Sequence, residues 1–311
     1  MSKYFFDIKG KKIFIAGHNG MVGSAVLRKL IGEDCIILTA NRSDLNLIDQ
    51  NEVNEWFNVN RPDVVVLCAA KVGGIHANNE FPVDFLYNNL MIETNIINAS
   101  YQNNVKKLVF LGSSCIYPRD CQQPMNEKYL LTGQLESTNQ WYAIAKIAGI
   151  KLCQAYRKQY GKDYISAMPT NLYGPGDNYD LATSHVIPAL LRKCHEAKIN
   201  NDEFMEVWGT GKVKREFLHV DDCADAIVFL LKYYSDNEQI NVGTGTDVTI
   251  EGLTNIIQEV IGYDGKLQFD TTKPDGTPRK LLDTSRINSL GWSPKISLKK
   301  GIQQVYKDYI K

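Results

Sequence analysis

The 311-residue chain carries 35 basic and 35 acidic side chains, and a formal net charge of zero argues against nucleic acid or an anionic membrane as its main partner. Its composition, 44% hydrophobic and 23% charged, is that of a soluble globular protein large enough for one big domain or two coupled ones, and no apolar run approaches the roughly 20 residues of a membrane span. Seven scattered cysteines without a Cys-x-x-Cys point to neither a disulfide framework nor a zinc site, and an N-terminus without an apolar core and cleavage site points to the cytoplasm.

Residues 11–16 read as a short apolar strand, followed by Gly17, His18, Asn19, Gly20, Met21, Val22 and Gly23 and a helical pattern over 24–30. Strand, glycine turn and helix predict a dinucleotide site, in which glycine permits close approach of a pyrophosphate and the helix N-terminus supplies unpaired N–H groups. The spacing is Gly-x-x-Gly-x-x-Gly rather than Gly-x-Gly-x-x-Gly, so the flanking strand and helix carry as much of the reading as the glycines. A second strand, 35–38, runs into Thr39, Ala40, Asn41 and Arg42. A cation where an NAD site places an acid favours NADP(H), with Asp44 as the competing acid two residues on.

The near-continuous apolar run 62–70 predicts a buried parallel strand, with Lys71, Val72, Gly73 and Gly74 as a loop beside the cofactor. A helical pattern over 88–101 returns to a strand at 107–111, which delivers Ser113, Ser114 and Cys115 to the C-terminal edge of the sheet, where such folds bind ligands. Tyr142 and Lys146, four apart on a helical pattern, share a face. An ammonium beside the phenol would lower it from its ordinary value of about 10, and Ser113 would hold the oxygen that Tyr142 protonates. That spacing alone also describes a stacked surface pair; the upstream glycine loop and strand-end serine turn it into a nicotinamide set.

Residues 163–168 read as the next strand and 169–177 as an irregular exit loop. Beyond it the rhythm changes to charged loops and short apolar pieces, with a helix entering at 185–191 and Trp208, Lys214 and Arg215 in 207–219. A helix over 220–231 and a strand at 240–243 revisit the first domain, and the tail holds the 273–280 stretch and a closing helix. The alternation predicts an α/β fold, a doubly wound parallel sheet of the Rossmann type with a smaller mixed α/β C-terminal substrate domain. The boundaries are 1–178 plus about 219–245 for the first domain, and about 179–218 plus 246–311 for the second.

With the glycine loop, Ser113, Tyr142 and Lys146 in order, the chain resembles the extended short-chain dehydrogenase/reductase family over essentially its full length. Blocks at 17–24, 69–74, 112–118, 142–149, 168–175, 184–191 and 273–280 are similar to members that act on GDP-4-keto-6-deoxy sugars. The resemblance implies NADP(H), a GDP-sugar substrate and two reactions in one pocket: epimerisation at C3 and C5, then reduction at C4. It gives Cys115 and His185 the removal and return of protons, the order between them open, with Ser113, Tyr142 and Lys146 as the reductive set. Both types suit proton transfer, since their ordinary values lie near 8.5 and 6.5. It places the cofactor on the residues of the glycine loop, Arg42, Leu111, Gly112, Ser113, Ser114, Lys146, Pro169, Thr170, Asn171, Leu172 and His185. The sugar nucleotide falls to Asn171, Lys193, Trp208, Arg215 and Asp275, with Lys280 beside them and Arg215 on the diphosphate.

Three positions depart from the family pattern: Asn19 replaces a common basic residue, Trp141 stands where proline is frequent, and Lys193 where arginine would give a forked donor. Related dehydratases carry an Asp-Glu pair where this chain has Ser114 and Cys115, so elimination of water lacks its acid and base. The family's helix pairing implies a homodimer. Two alternatives stand beside this reading: a sibling acting on a GDP-heptose or dideoxy sugar, and a cofactor-binding regulator without catalysis.

Overall fold

A computed structural model describes residues 5–181, 183–273 and 275–311; the first residues of the N-terminal reading and Pro274 of the 273–280 block lie outside the described residues. The chain begins with β1 (Lys12–Ala16), α1 (Met21–Ile31), β2 (Ile36–Leu38), α2 (Gln50–Asn60) and β3 (Val64–Leu67). It continues through α3 (Ile75–Glu80), α4 (Asn89–Gln102), β4 (Lys107–Leu111), α5 (Gln140–Tyr160), β5 (Asp163–Pro169) and β6 (Asn171–Tyr173). Then follow α6 (Val186–Asn200), β7 (Phe204–Trp208), β8 (Lys214–Arg215), β9 (Phe217–His219), α7 (Val220–Tyr233) and β10 (Ile240–Val242). The last part comprises β11 (Val248–Thr249), α8 (Ile250–Ile261), β12 (Lys266–Asp270), β13 (Arg279–Lys280), α9 (Ser285–Leu290) and α10 (Leu298–Tyr309).

Six strands form one sheet in the order β10-β5-β4-β3-β1-β2, and every pairing in it is parallel. This is the Rossmann-type sheet the alternation predicted. Its strands are apolar along their length because helices cover both faces: all four residues of β3 and all five of β4 are buried. Lys107, at the start of β4, is the polar exception in those two strands. It pairs with Asp163 at 2.8 Å and donates to the Tyr234 carbonyl at 2.6 Å, and burial lowers its ammonium to about 8.

One face carries α1 and α7, whose Val26, Leu30, Ile227 and Leu230 share a core that also takes Ile287 and Trp292. The other carries α2, α4 and α5, with Phe57, Ile96 and Ile150. A third core joins α6, α8 and α10 through Leu191, Ile257 and Ile302 beside β7, which pairs with β12. Burying a Leu or Ile stabilises by about 1.5–3 kcal/mol, against about 1 kcal/mol for a cap, so these faces rather than the helix ends decide the docking.

The exit segment departs from the expected irregular loop. Residues 171–173 form β6, paired in parallel with β9 in the register Asn171↔Phe217, because the second return of the chain supplies a partner strand. As expected, the strand at 240–242 rejoins the sheet beside β5. Sheet order reverses at β1, which has β2 on one side and β3 on the other, and a crevice opens at the strand C-termini there. Among the described residues no helix is long and apolar enough to cross a membrane.

Candidate active site

α2 and α7 begin on side-chain caps, Asp49 accepting from the Asn51 and Glu52 N–H groups and His219 from that of Asp221. α1 does not: its N-cap is Gly20, with no side-chain cap and no acidic residue in the first turn. Its free N–H groups and positive dipole end therefore face the crevice. Gly17 sits at φ +90°, and a Cβ there would lie 2.8 Å from the Ala69 backbone; one on Gly23 would lie 2.0 Å from the Gly17 carbonyl oxygen. Those two glycines bring strand, turn and helix closer than any side chain permits. His18 Nδ1 is buried beside the turn without a partner.

Asn19 donates to Asn41 at 3.1 Å and ties the turn to the exit of β2, where Arg42 is exposed at the edge of the cavity. Asp44, the competing acid, accepts from Asn41 and Ser43 and does not line the cavity. A bare helix N-terminus, a cradle that a Cβ would fill, an orphaned imidazole nitrogen and a cation without an acid together fit a dinucleotide carrying an additional phosphate.

This cradle is one end of a cavity of about 530 Å³. Every cofactor residue expected from the sequence lines it: the whole glycine loop, Arg42, the strand end 111–114, Lys146, the 169–172 segment and His185. Ser113 leaves β4 in extended conformation and accepts from the Cys115 N–H at 3.4 Å, and Tyr142 of α5 faces the same space. The Tyr142 ring meets Phe85 edge-on at 6.5 Å. His185 stands at the N-cap position of α6, on the lining of the cavity, without a side-chain capping bond. It is solvent-accessible there, yet the surrounding protein desolvates the imidazole and lowers it from its ordinary value.

Cys115 is buried behind Ser113 and does not line the cavity. Burial raises its thiol, while hydrogen bonding to Ser113 and the Lys280 and Lys146 charges pull the other way. The expected effect of Lys146 on Tyr142 is not what the structure shows. Burial pushes the phenol well above its ordinary value, and Cys115 and Glu93 add to the rise. The reason is geometric: the Lys146 ammonium, 5.6 Å from the Tyr142 ring centroid, is engaged by the Glu93 carboxylate at 3.0 Å.

Lys193, Trp208, Arg215 and Asp275 form a second group outside this cavity. Lys193 Nζ lies 4.8 Å from the Trp208 ring centroid and Lys273 Nζ 5.3 Å from it, and the indole N–H donates to Glu206 at 2.6 Å. Arg215 donates to the Asp275 carbonyl at 3.2 Å, and the Asp275 carboxylate accepts from the Thr210 N–H and hydroxyl. Lys280, on β13 next to Arg215 of β8, joins the two groups: its ammonium acts on Cys115 and feels Arg215, and burial lowers it.

Residues 13–243 match the model of the NAD dependent epimerase/dehydratase family. The chain is 55% identical over 310 residues to the GDP-L-fucose synthase of Sinorhizobium fredii, covering 100% of this chain and 98% of the relative. The chain belongs to the NAD dependent epimerase/dehydratase family. Among solved structures, a GDP-6-OMe-4-keto-L-xylo-heptose reductase from C. jejuni superposes with a TM-score of 0.92 at 37% identity, over 98% of this chain and 99% of that one. A GDP-L-fucose synthetase from Naegleria fowleri bound to NADP gives 0.91 at 26% identity, over 100% and 97%.

Within this epimerase/dehydratase scaffold several positions in and around the cavity had little signal in the sequence. Asn46, Leu47 and Ile48 line the cavity because Asn95 of α4 donates to the Leu47 and Ile48 carbonyls, a tertiary contact with no local pattern. Lys71 is clamped through its backbone by Asn89, whose side chain both accepts from its N–H and donates to its carbonyl. Glu93 looks like any polar residue of a helix until Lys146 is placed against it. Lys273 stood in a matching block but had no assigned contact.

Proposed function

We propose that this chain converts GDP-4-keto-6-deoxy-D-mannose to GDP-L-fucose, inverting C3 and C5 and then reducing C4 with NADPH. The observation that carries the reading is the combination of the reductive set Ser113, Tyr142 and Lys146 with a cysteine two residues beyond the serine and a histidine on the lining of the same cavity. The identity to curated GDP-L-fucose synthases supports the substrate, and the NADP-bound neighbour supports the cofactor.

The bare N-terminus of α1 would hold the pyrophosphate, Arg42 the additional phosphate, and the 111–114 and 169–172 segments the nicotinamide end. Bound there, NADPH supplies the hydride that C4 accepts. Ser113 positions the C4 oxygen and Tyr142, protonated in this environment, gives it a proton. Protons on C3 and C5 are acidified because both carbons flank the C4 ketone, and each inversion needs one group to take a proton and another to return one on the opposite face. In this state burial keeps Cys115 a thiol and His185 a neutral imidazole, an acid and a base. Arg215 and Lys280 supply cations for the diphosphate, and the Lys193, Trp208 and Lys273 stack gives the base a face.

Turnover in heavy water with NADPH tests both halves: loss of nicotinamide absorbance with deuterium at C3 and C5 of the product supports the reading. Consumption of NADPH without that label leaves a plain 4-reductase and removes the roles of Cys115 and His185. Faster turnover of a GDP-4-keto heptose would move the substrate to the sibling reading.

The separate core of α6, α8 and α10 supports a substrate unit of about 179–218 plus 246–311, although Leu282, Ile287 and Trp292 pack into the cores of the sheet. A homodimer through α4 and α5 is supported by exposed Tyr87 just ahead of α4 and exposed Trp141 and Ile144 on α5. Light scattering at twice the chain mass of 35.1 kDa is the expected result. The free state of the seven cysteines suits the reducing cytoplasm.

A further inference from the structure

Beneath the catalytic face of α5 lies a charge pair that the motifs do not announce. Lys146 Nζ is 3.0 Å from Glu93 Oε1, with 3% of the lysine side chain and 1% of the glutamate side chain exposed. The neighbouring backbone makes room for the carboxyl. A Cβ on Gly149, three residues beyond Lys146, would lie 2.8 Å from Glu93 Oε2 and 2.4 Å from the Phe110 ring. Phe110 closes another side, its ring centroid 4.7 Å from the ammonium. Beyond the ion pair neither carboxyl oxygen has a hydrogen-bond partner. A carboxyl so placed, in a slot kept open by a glycine and against the one cation of the reductive set, is built for an electrostatic purpose rather than for solubility.

α5 turns Lys146, Tyr142 and Cys153 toward this carboxyl, and Lys146 is the charge that acts on it; α2, β3 and the turn before α4 contribute no charged group to its shift. Burial raises Glu93 to about 7 against the pull of Lys146, so both of its forms are populated near neutrality. We infer that Glu93 is a positioning residue that sets how much of the Lys146 charge reaches the Tyr142 phenol, and that proton uptake by Glu93 releases that charge to the phenol. While Glu93 is ionised the pair is neutral and the carboxylate opposes phenolate formation. Once Glu93 is protonated, the ammonium is uncompensated and favours the phenolate left after proton donation. The proton donated in the reaction leaves the Tyr142 hydroxyl for the C4 oxygen; that on Glu93 exchanges with solvent and stays outside the transfer.

This inference rests on Tyr142 as the proton donor of the proposed reduction. Glu93→Gln keeps the volume and fixes the neutral form. The expected result is a basic limb of kcat/KM for the 4-keto sugar displaced about tenfold in proton concentration toward lower pH, with the inflection near 7 lost and KM for NADPH changed less than threefold. A structural role alone would lower the rate by one factor at every pH, and superimposable profiles overturn the inference. A 13C titration of labelled glutamate carboxyls needs no turnover. One resonance should titrate near 7 in the wild type, be absent from Glu93→Gln and move higher in Lys146→Met; glutamates all titrating below about 5 overturn the inference equally. If the wild type fails to reduce the sugar, the proposed function falls while the carboxyl titration still decides Glu93.

Discussion

Replacing Gly23 by alanine sets two effects of opposite sign against each other inside the cofactor cradle. Gly23 is the third residue of α1, where alanine in place of glycine favours the helix by about 1 kcal/mol. The new Cβ, however, would lie 2.0 Å from the Gly17 carbonyl oxygen, 2.6 Å from its carbon and 2.8 Å from His18 Cα. All three atoms are backbone, so no side chain can swing away. Restoring a contact of 3.0 Å from 2.0 Å moves the turn by at least 1.0 Å, and overpacking of that kind costs about 1–3 kcal/mol. The steric cost wins, and it falls on the groups that would cradle the pyrophosphate. A misplacement of about 1 Å weakens a preorganised site by on the order of 100-fold, about 2.7 kcal/mol. Fluorescence titration with NADPH reads the affinity directly. Thermal unfolding gives an independent reading: cofactor at 100 times the wild-type Kd stabilises the wild type by about 2.7 kcal/mol and the variant by only about 0.4 kcal/mol. An affinity within threefold of wild type, with a raised Tm, would refute the reasoning and reduce Gly23 to a helix position with room to spare.

Cys115→Ser should keep its NADPH affinity and lose deuterium exchange at C3 and C5 by about 100-fold or more by NMR, the scale of one general acid or base; retained inversion at both carbons would count against the thiol. Arg42→Ala should lower the preference for NADPH over NADH by about tenfold in kcat/KM, and an unchanged ratio would place the additional phosphate elsewhere. Desolvation holds His185 below its ordinary value of 6.5, so its neutral, proton-accepting form persists as the pH falls through that value and is lost only below it. The acid limb of the C3 and C5 exchange rates is therefore expected below pH 6.5 and absent from His185→Gln; a limb at or above 6.5 in the wild type contradicts the assignment.

The sheet was legible because its information is local. Buried parallel strands such as β3 are apolar at every position, and the change of period to a helix marks α1 and α4 without any knowledge of partners. The cofactor cradle was legible for the same reason, since Gly17 and Gly23 answer to contacts within eight residues or across one neighbouring strand. β6 was missed because Asn171, Leu172 and Tyr173 become a strand only when β9 arrives 46 residues later to pair with them. The segment from Leu282 to Trp292 returns to the sheet for a similar reason: its apolar residues fit either core, and only the fold selects one.

The electrostatics of the site escaped the sequence for a deeper cause. Tyr142 and Lys146 sit four apart, and spacing says they share a face; it does not say where a flexible ammonium points. That is decided by Glu93 on another helix and by the missing side chain of Gly149, which lets the carboxylate in. This third group bears on Tyr142 too, in the same direction as burial. Burial pushes the phenol up first, and Cys115 and the carboxylate, engaged with Lys146 at 3.0 Å, add to the rise. A motif that names donor and cation thus fixes which atoms react, while the protonation state at which they do so depends on burial and on a carboxyl from a helix about 50 residues upstream that carries no motif at all.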